Sequence, residues 1–434
     1  MKRELYSQLL EWKNTPDALR KPLILEGARQ TGKSWLAQEL GETEFETFVK
    51  VDFEKMPSLN SLFEGDFDIN RIILALRAVS GKDIQPGKTL IFLDEIGHAP
   101  RGLISLKYFK LDAPEYHVIA ADSFMGLHDH DDDSFPVGYV KLLKTYPLDF
   151  PEFLKAVGEE SLVEILKKSD WELINMFSNK LTEYLRQYYF IGGMPEVVKA
   201  FVNTKDYLAC RKIQNEILET YEKDFTKHPP KEIVAKMRLL WQNIPAQLSK
   251  ENKKFTYSAI KKSARARDYE EAIQWLCDAG AIYKVTRVSS GELPLDGFVD
   301  MDSFKLFLVD IGLLGAMTGL TMDSIITGNE YFKQFKGALT EQYVMQQLVG
   351  FEDIRIHYWS PDTGIAEVDF VIQLNGKVIP LEAKAERNLK AKSLKTFSQK
   401  YQPKVILRTS LEPYFKGDHV TDIPLYALSC IKDV

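Results

Sequence analysis

The stretch Pro22-Leu23-Ile24-Leu25-Glu26-Gly27-Ala28-Arg29-Gln30-Thr31-Gly32-Lys33-Ser34 decides the fold of the N-terminal part. Its apolar beginning predicts a short buried strand, and residues 35–40 after it have the composition of a helix. Residues 27–34 fit the pattern G-x-x-x-x-G-K-[ST], in which glycines let backbone N–H groups turn inward around phosphates. The N-terminus of the helix adds positive charge at the same place. The sequence therefore predicts a phosphate-binding loop between a strand and a helix.

The polar residues of this loop have distinct roles in such a site. Lys33 would reach the β- and γ-phosphates, and Ser34 would bind Mg²⁺. The residues predicted to hold the nucleotide are Gly27, Ala28, Arg29, Gln30, Thr31, Gly32, Lys33 and Ser34.

A second apolar strand, residues 90–93, ends in the two carboxylates Asp94 and Glu95. Asp94 would hold the Mg²⁺ shell, and Glu95 would orient or deprotonate the attacking water. Two acids at a strand end are otherwise a solvated cap, but the phosphate loop upstream favours the first interpretation. Ser123 ends the next predicted strand and is predicted to sense the γ-phosphate. The side chain of Asp122 would repel a phosphate, so we expect it to point away or to bind metal.

The pattern along the chain indicates several domains of α/β type. Continuous apolar strands that alternate with helices in the first 121 residues indicate a parallel sheet covered on both faces. From about 150 to 245 the apolar residues have helical spacing, and after Gly328 helices and strands alternate again. The 434 residues are 45% apolar and 27% charged, an ordinary globular mix. Three cysteines, far apart, exclude a disulfide scaffold.

The sequence also limits the partners of the protein. No apolar run approaches the roughly 20 residues of a membrane helix, and residues 1–5 lack an apolar signal core. We therefore expect a cytoplasmic protein with no membrane contact. The net charge is −6, but residues 201–300 hold 17 Lys and Arg against 14 Asp and Glu. A polyanionic partner is therefore expected to meet the second half of the chain.

With these residues in place, the first half resembles the AAA-type P-loop ATPases of the archaeal-ATPase branch. The resemblance implies that the chain binds and hydrolyses ATP with Mg²⁺, and that it forms a homo-oligomer in which a neighbour supplies an arginine. Gly97 stands where that family usually has Gln, and Asp122 where it usually has Gly. The segments that carry the resemblance are residues 27–34, 92–96, 105–107, 146–154 and 192–196.

A second group of charged residues lies near the C-terminus. Glu382 and Lys384 alternate along a predicted strand and so share one face. Asp369 lies on the preceding strand, and Glu341 lies on a helix before both. Two such carboxylates can bind Mg²⁺, which polarises a phosphodiester and activates water, while Lys384 would position water or stabilise phosphate charge. The alternative is an ordinary charged surface, because charged residues alternate on many strands.

Residues 331–434 resemble the PD-(D/E)xK nuclease-like domain found at the C-terminus of this ATPase family, through residues 336–341, 367–369 and 381–384. The resemblance implies a metal site at Glu341, Asp369 and Glu382, with Asp369, Glu382 and Lys384 as catalytic residues. In such families the fold also persists as a binding module. A catalytically silent domain therefore stays open.

Residues 251–267 contain six Lys and Arg and one acid, Glu251. A predicted helix that ends at Gly280 and a short hairpin follow them. The arrangement resembles a winged helix-turn-helix, in which the basic stretch would contact the phosphates of DNA or RNA. The alternative is a solvated face in a domain that packs against the ATPase.

We therefore predict a multidomain α/β protein with a P-loop NTPase parallel sheet and a restriction-endonuclease-like C-terminal domain. The first functional hypothesis is a Mg²⁺-dependent ATPase whose nucleotide state controls a nucleic-acid-directed nuclease-like module. The second is a nucleotide-switched interaction or regulatory protein, and the third a DNA-binding regulator that does not cut. The predicted domains are the AAA-type core (1–155), a helical lid (156–230), a winged-helix region and connector (231–330) and the nuclease-like domain (331–434).

Overall fold

A computed structural model describes residues 3–99, 101–122, 135–226, 229–250, 253–262, 264–362, 366–385 and 392–434. Its first part is a parallel sheet of five strands: β1 (Leu23–Gly27), β2 (Thr47–Asp52), β3 (Thr89–Asp94), β4 (His117–Ala121) and β5 (Lys141–Thr145). They lie in the order β2-β3-β4-β1-β5. The edge strand β5 is not predicted from its sequence, because its alternation of exposed and buried residues is only five residues long.

Helices cover both faces of this sheet, as the apolar strands predict. They are α1 (Leu5–Lys13), α2 (Lys33–Glu44), α3 (Ile69–Ser80) and α4 (Gly102–Asp112). Successive strand residues point to opposite faces, so Leu23 and Leu25 pack with α1 and α2, whereas Ile24 packs with α3 and α4. Every residue of β3 is buried, which explains its unbroken apolar run before Asp94.

The helical region expected from about residue 150 is present. It consists of α5 (Phe150–Ala156), α6 (Glu160–Lys167), α7 (Trp171–Met176), α8 (Ser178–Ile191), α9 (Pro195–Thr204), α10 (Tyr207–Asp224) and α11 (Lys231–Leu248). Among the described residues, no helix combines the length and apolarity needed to cross a membrane.

The last part is built on a mixed sheet of eight strands. They are β6 (Ile282–Val288), β7 (Val299–Leu308), β8 (Arg355–Trp359), β9 (Val368–Leu374), β10 (Lys377–Ala383), β11 (Leu407–Ser410), β12 (Phe415–Lys416) and β13 (Thr421–Pro424). Their order is β12-β13-β11-β10-β9-β8-β6-β7. The accompanying helices are α12 (Glu270–Asp278), α13 (Ile311–Met317), α14 (Met322–Thr327), α15 (Glu330–Leu348) and α16 (Lys392–Tyr401).

The hairpin predicted as the wing of a winged helix has a different place in the fold. Strands β6 and β7 do pair antiparallel, but Arg287 and Val288 of β6 also pair parallel with β8. The hairpin therefore extends the C-terminal sheet, which crosses the boundary expected between residues 330 and 331. The sequence around the hairpin does not reveal this pairing, because β8 lies about 70 residues further along the chain.

The basic stretch before α12 is built from short turns. In its described part, residues 253–262 and 264–267, it forms two short 3-10 turns, Tyr257–Ala259 and Ala266–Asp268. The N–H of Phe255 donates to Phe304 O over 2.8 Å, and the two rings stack 5.4 Å apart. This contact with β7 fixes the segment against the C-terminal sheet.

The buried carboxylate of Asp310 connects three parts of the chain. It accepts the N–H of Gly193 (2.6 Å), the N–H of Leu313 (3.0 Å) and Nε2 of Gln346 on α15 (3.0 Å). Gly192 has φ +73°, and a Cβ there would overlap the Asp310 carboxylate. Burial raises the pKa of Asp310, and the donated hydrogen bonds oppose that rise.

We expect Asp310→Ala to lower the free energy of unfolding by about 3 kcal/mol, because three buried donors lose their acceptor. Thermal unfolding would measure the change. The matched control is Asp302→Ala, which removes an exposed carboxylate from β7 and should change the stability by less than about 0.5 kcal/mol. Equal melting temperatures for the two variants would contradict the assigned role of Asp310.

Candidate functional site

The loop between β1 and α2 depends on backbone conformations that favour glycine. Gly27 has φ +134° and Gly32 has φ +95°. A Cβ on Gly27 would overlap the carbonyl oxygen of Thr145 on the neighbouring strand β5. Helix α2 begins at Lys33, directly after Gly32. The local geometry is therefore that of a strand, a tight loop and a helix N-terminus, as residues 27–34 predict.

Lys33 lies inside this loop. Its Nζ donates to Gly27 O over 2.7 Å and to Ala28 O over 3.1 Å. Desolvation lowers the pKa of Lys33 to about 8, although Glu95 and Asp122 act to raise it. The Lys33 ammonium group is thus bound to carbonyl groups of the same loop that is predicted to bind phosphate.

Asp94 stands at the end of β3, beside the loop. Its Oδ1 accepts the Ser34 hydroxyl over 3.1 Å, and its Oδ2 lies 2.7 Å from Nζ of Lys50. A hydroxyl and a carboxylate are hard oxygen ligands, so Ser34 and Asp94 fit a Mg²⁺ ion. Lys50 is not predicted from the motifs. Its signal in the sequence is a lysine between Val49 and Val51 in an apolar strand.

Glu95 and Asp122 form the far wall of the site. Glu95 has a left-handed backbone, with φ +51°, and its buried Oε2 lacks a hydrogen-bond donor among the described residues. Asp122 is buried and accepts the N–H of Gly97 over 2.6 Å. Burial, with Glu95 as the next cause, raises the pKa of Asp122 to about 8. Asp122 is therefore turned to the backbone of Gly97; that it points away from the phosphate or binds metal stays a prediction, and Ser123 lies outside the described residues.

Two arginines attach the loop to distant parts of the chain. Arg3 donates to Thr31 O over 3.1 Å and pairs with Glu152 at 2.9 Å. Arg29 Nε lies 2.5 Å from Oδ2 of Asp224 at the end of α10. No local pattern in the sequence marks Arg3 or Asp224 as site residues, because their partners lie 149 and 195 residues away along the chain.

A cavity of about 710 Å³ opens beside Gly32. Trp35, on the first turn of α2, lines it and is 39% exposed. Pro195 and Lys199 of α9 form the opposite side. The cavity therefore lies between α2 and α9, next to the phosphate loop.

The charged residues predicted near the C-terminus also lie together. Lys384 Nζ lies 2.6 Å from Oε1 of Glu382, and Asp369 Oδ2 accepts the N–H of Ala383 over 2.9 Å. Burial raises the pKa of Asp369 well above its usual range, and Glu341 and Glu382 raise it further. The oxygen Oε2 of Glu382 is buried and has no hydrogen-bond partner among the described residues.

Two lysines that the motifs do not predict as site residues also lie in this cluster. Lys305 of β7 is fully buried and lies 3.3 Å from Glu341 and 2.5 Å from Glu367. Lys253 also pairs with Glu341. The signal for Lys305 is a lysine inside the apolar run 303–308. Within the described ranges, no group of three or more His, Cys, Asp or Glu residues has an arrangement that could hold a metal ion.

Comparison with known families divides the chain into three matched segments. Residues 19–154 match the model of an AAA domain. Residues 182–324 match a domain of unknown function (DUF8612), and residues 336–428 match another (DUF4143). A comparison with curated proteins found no match. The first match confirms the AAA-type domain predicted from residues 27–34, whereas neither C-terminal model is described as a nuclease.

Several solved structures are similar to parts of the chain. A Walker-type ATPase of Pyrococcus abyssi is 15% identical, covering 73% of this chain and 95% of its own, with a TM-score of 0.43. The Holliday junction branch migration motor RuvB of Thermotoga maritima is 13% identical, covering 65% and 89%, with a TM-score of 0.29. The family matches are thus the firmer result: the chain carries an AAA domain followed by two domains of unknown function.

Proposed function

We propose that this chain binds ATP with Mg²⁺ at residues 27–34, hydrolyses it, and uses its nucleotide state to control the domains that follow. The convergence of Lys33, Ser34, Asp94 and Glu95 at one end of the parallel sheet carries the proposal. The carboxyl ends of parallel strands are where such sheets bind ligands, and these four residues supply the required cation, hydroxyl, metal ligand and base.

The proposed mechanism uses each group in one step. The Lys33 ammonium exchanges the carbonyls of Gly27 and Ala28 for the β- and γ-phosphates, which also restores its usual pKa. When bound through Ser34 and Asp94, Mg²⁺ supplies charge neutralisation on the phosphates. Glu95 accepts a proton from water as the oxygen of that water bonds to the γ-phosphorus, and the bond to the ADP oxygen breaks.

The cavity beside Gly32 is the proposed place of the nucleoside. Its 710 Å³ lies within the usual range for ligand sites, and the half-exposed ring of Trp35 offers a surface on which a base can stack. The cavity opens to solvent between α2 and α9. A second copy of the chain would therefore reach the nucleotide with an arginine, in keeping with the homo-oligomer that the resemblance implies.

Contacts of the loop support the proposed control of the other domains. Arg29 is paired with Asp224 of α10, and Tyr221 of the same helix donates to Arg29 O over 3.0 Å. Gly280, at the junction of α12 and β6, packs so closely that a Cβ there would lie 2.9 Å from Ala28 N. A shift of the loop on binding phosphate would therefore move α10, α12 and the C-terminal sheet.

We expect Lys33→Ala to reduce ATP turnover about 100-fold or more, because the cation that stabilises the transferred phosphoryl group is lost. Phosphate release with Mg²⁺ would measure it. Lys88→Ala, which removes an exposed lysine of the same domain, is the control and should leave turnover unchanged. Glu95→Gln should bind ATP and hydrolyse it only at a low residual rate. Unchanged hydrolysis by the Lys33 variant would refute the site.

Of the roles left open for the C-terminal domain, the ion pairs favour the catalytically silent one. Lys253 and Lys305 already neutralise Glu341, so a divalent ion would have to displace a buried ammonium group. One observation favours the nuclease instead: the buried Oε2 of Glu382 has no partner among the described residues and is available to a cation. We propose the nucleotide-switched interaction protein first and phosphodiester cleavage by Asp369, Glu382 and Lys384 second.

Supercoiled plasmid with Mg²⁺ or Mn²⁺, with and without ATP, separates these two roles. We expect no nicking by the wild type, because Glu341 is already paired with lysines. Nicking that disappears in Asp369→Asn would overturn this expectation and establish the second role. Asp362→Asn, at a carboxylate that is 88% exposed, is the control for a contaminating nuclease, because nicking by a contaminant would persist in both variants.

Nucleic-acid contact by the basic stretch stays a further proposal. Lys253 is turned inward to Glu341, whereas Lys261, Lys262, Arg265 and Arg267 are exposed. Replacing these four by Ala should weaken binding of DNA or RNA equally across sequences and reduce its salt dependence. Electrophoretic retardation at several salt concentrations would measure both effects.

The control for this experiment removes the same charge elsewhere, by replacing the exposed lysines Lys55, Lys88, Lys168 and Lys212. Equal retardation by the two quadruple variants would contradict a specific role for the basic stretch.

A further inference from the structure

The register of the N-terminal sheet brings Asp122 next to Glu95. Strands β3 and β4 are neighbours and parallel, and Asp94 is paired with Ala121. Glu95 and Asp122 are the next residues on the two strands, so they leave the sheet side by side. Both then face the same small volume beside Lys33, whose pKa they act to raise.

Asp122 is attached to the segment that carries Glu95. It is 2% exposed, and its Oδ2 accepts the N–H of Gly97 over 2.6 Å. Gly97 lies in the 3-10 turn Ile96–His98, which begins directly after the left-handed backbone of Glu95. Asp122 therefore fixes the turn that determines where the Glu95 side chain points.

Burial also determines the charge of the two side chains. Glu95 Oε2 is buried without an N–H or O–H donor in the described part of the chain, unless the Asp122 carboxyl carries a proton. Burial, with the negative charge of Glu95 as the second cause, raises the pKa of Asp122 to about 8. The raised pKa favours a neutral Asp122 carboxyl group, which has a proton to donate to the unpaired Oε2 of Glu95.

We propose that Asp122 is a positioning residue for ATP hydrolysis, which holds the Glu95 carboxylate in the orientation that activates water. It does so through the turn at Gly97, whose N–H it accepts, and as a proton donor to the unpaired Oε2 of Glu95. This inference rests on the proposed ATPase function and deepens it. A neutral carboxyl group also removes the conflict foreseen from the sequence, because it does not repel the γ-phosphate as a carboxylate would.

The substitutions Asp122→Asn and Asp122→Leu test this role. An Asn keeps an oxygen for the Gly97 N–H and an N–H for Glu95, so kcat should stay within about threefold of wild type. Leu has a similar shape without either bond. It should lower kcat about 10- to 100-fold, since a misplaced general base loses most of its contribution, while the KM for ATP changes by less than about twofold.

A control and a second background make the measurement specific. Asp68→Ala removes the N-cap of α3 in the same domain, so it reports what a general loss of stability does to turnover. In the Glu95→Gln background, Asp122→Leu should lower the residual rate by less than about threefold, because Asp122 acts through Glu95. If Asp122→Leu does not fold, Asp122→Ala takes its place.

Each result decides between defined alternatives. A loss of kcat in the Leu variant, rescue by Asn and no loss in the Glu95→Gln background support the inference. Unchanged kcat in the Leu variant overturns it, as does a rise in KM and a fall in melting temperature that Asn fails to rescue. If the wild type neither binds nor hydrolyses ATP, the proposed function fails as well, whereas normal wild-type hydrolysis confines a failure to Asp122.

Discussion

The buried carboxylate of Asp310 is the contact on which the arrangement of the chain depends. A desolvated carboxylate is stable only where enough donors surround it, and here they come from the turn at Gly193, from α13 and from α15. The turn at Gly192 can approach the Asp310 carboxylate because glycine has no Cβ. The same turn starts α9 at Pro195, which borders the cavity beside Gly32. The proposed nucleoside site and the C-terminal domain thus share one support.

Helix α15 extends this support into the C-terminal cluster. Its glutamines bond to backbone groups far away in the chain: Gln342 to both N–H and C=O of Leu308, Gln346 to the N–H of Ile311, and Gln347 to the N–H of Phe150. Glu341 precedes Gln342 on the same helix. A helix is stiff along its axis, so a displacement of the helical region by nucleotide would reach Glu341 as a rigid movement. This rigid movement is how we propose that nucleotide binding controls the C-terminal domain.

The sequence is most informative where function depends on local geometry. The loop at residues 27–34 and the pair Asp94 and Glu95 follow from motifs whose partners are sequence neighbours. The place of the β6–β7 hairpin does not, because nothing in its local sequence specifies that β6 pairs with β8, which lies about 70 residues further along the chain. Asp122 shows the same limit. Its sequence position suggests repulsion of a phosphate, and only burial against Glu95 makes a neutral carboxyl group favourable.

The positive and negative charges of the C-terminal cluster nearly balance. Its four carboxylates and three ammonium groups are Glu341, Glu367, Asp369 and Glu382 with Lys253, Lys305 and Lys384. The pKa of Asp369 is raised well above its usual range, which favours its neutral form and reduces the excess of negative charge in the cluster. Buried charges that are already compensated do not require a metal to fold. A divalent ion would enter only if Lys253 moved away, because Lys253 is less deeply buried than Lys305, the other lysine paired with Glu341. Lys253 belongs to the segment that packs on β7 through Phe255. The ion pair between Lys253 and Glu341 thus also ties the cluster to the middle of the chain.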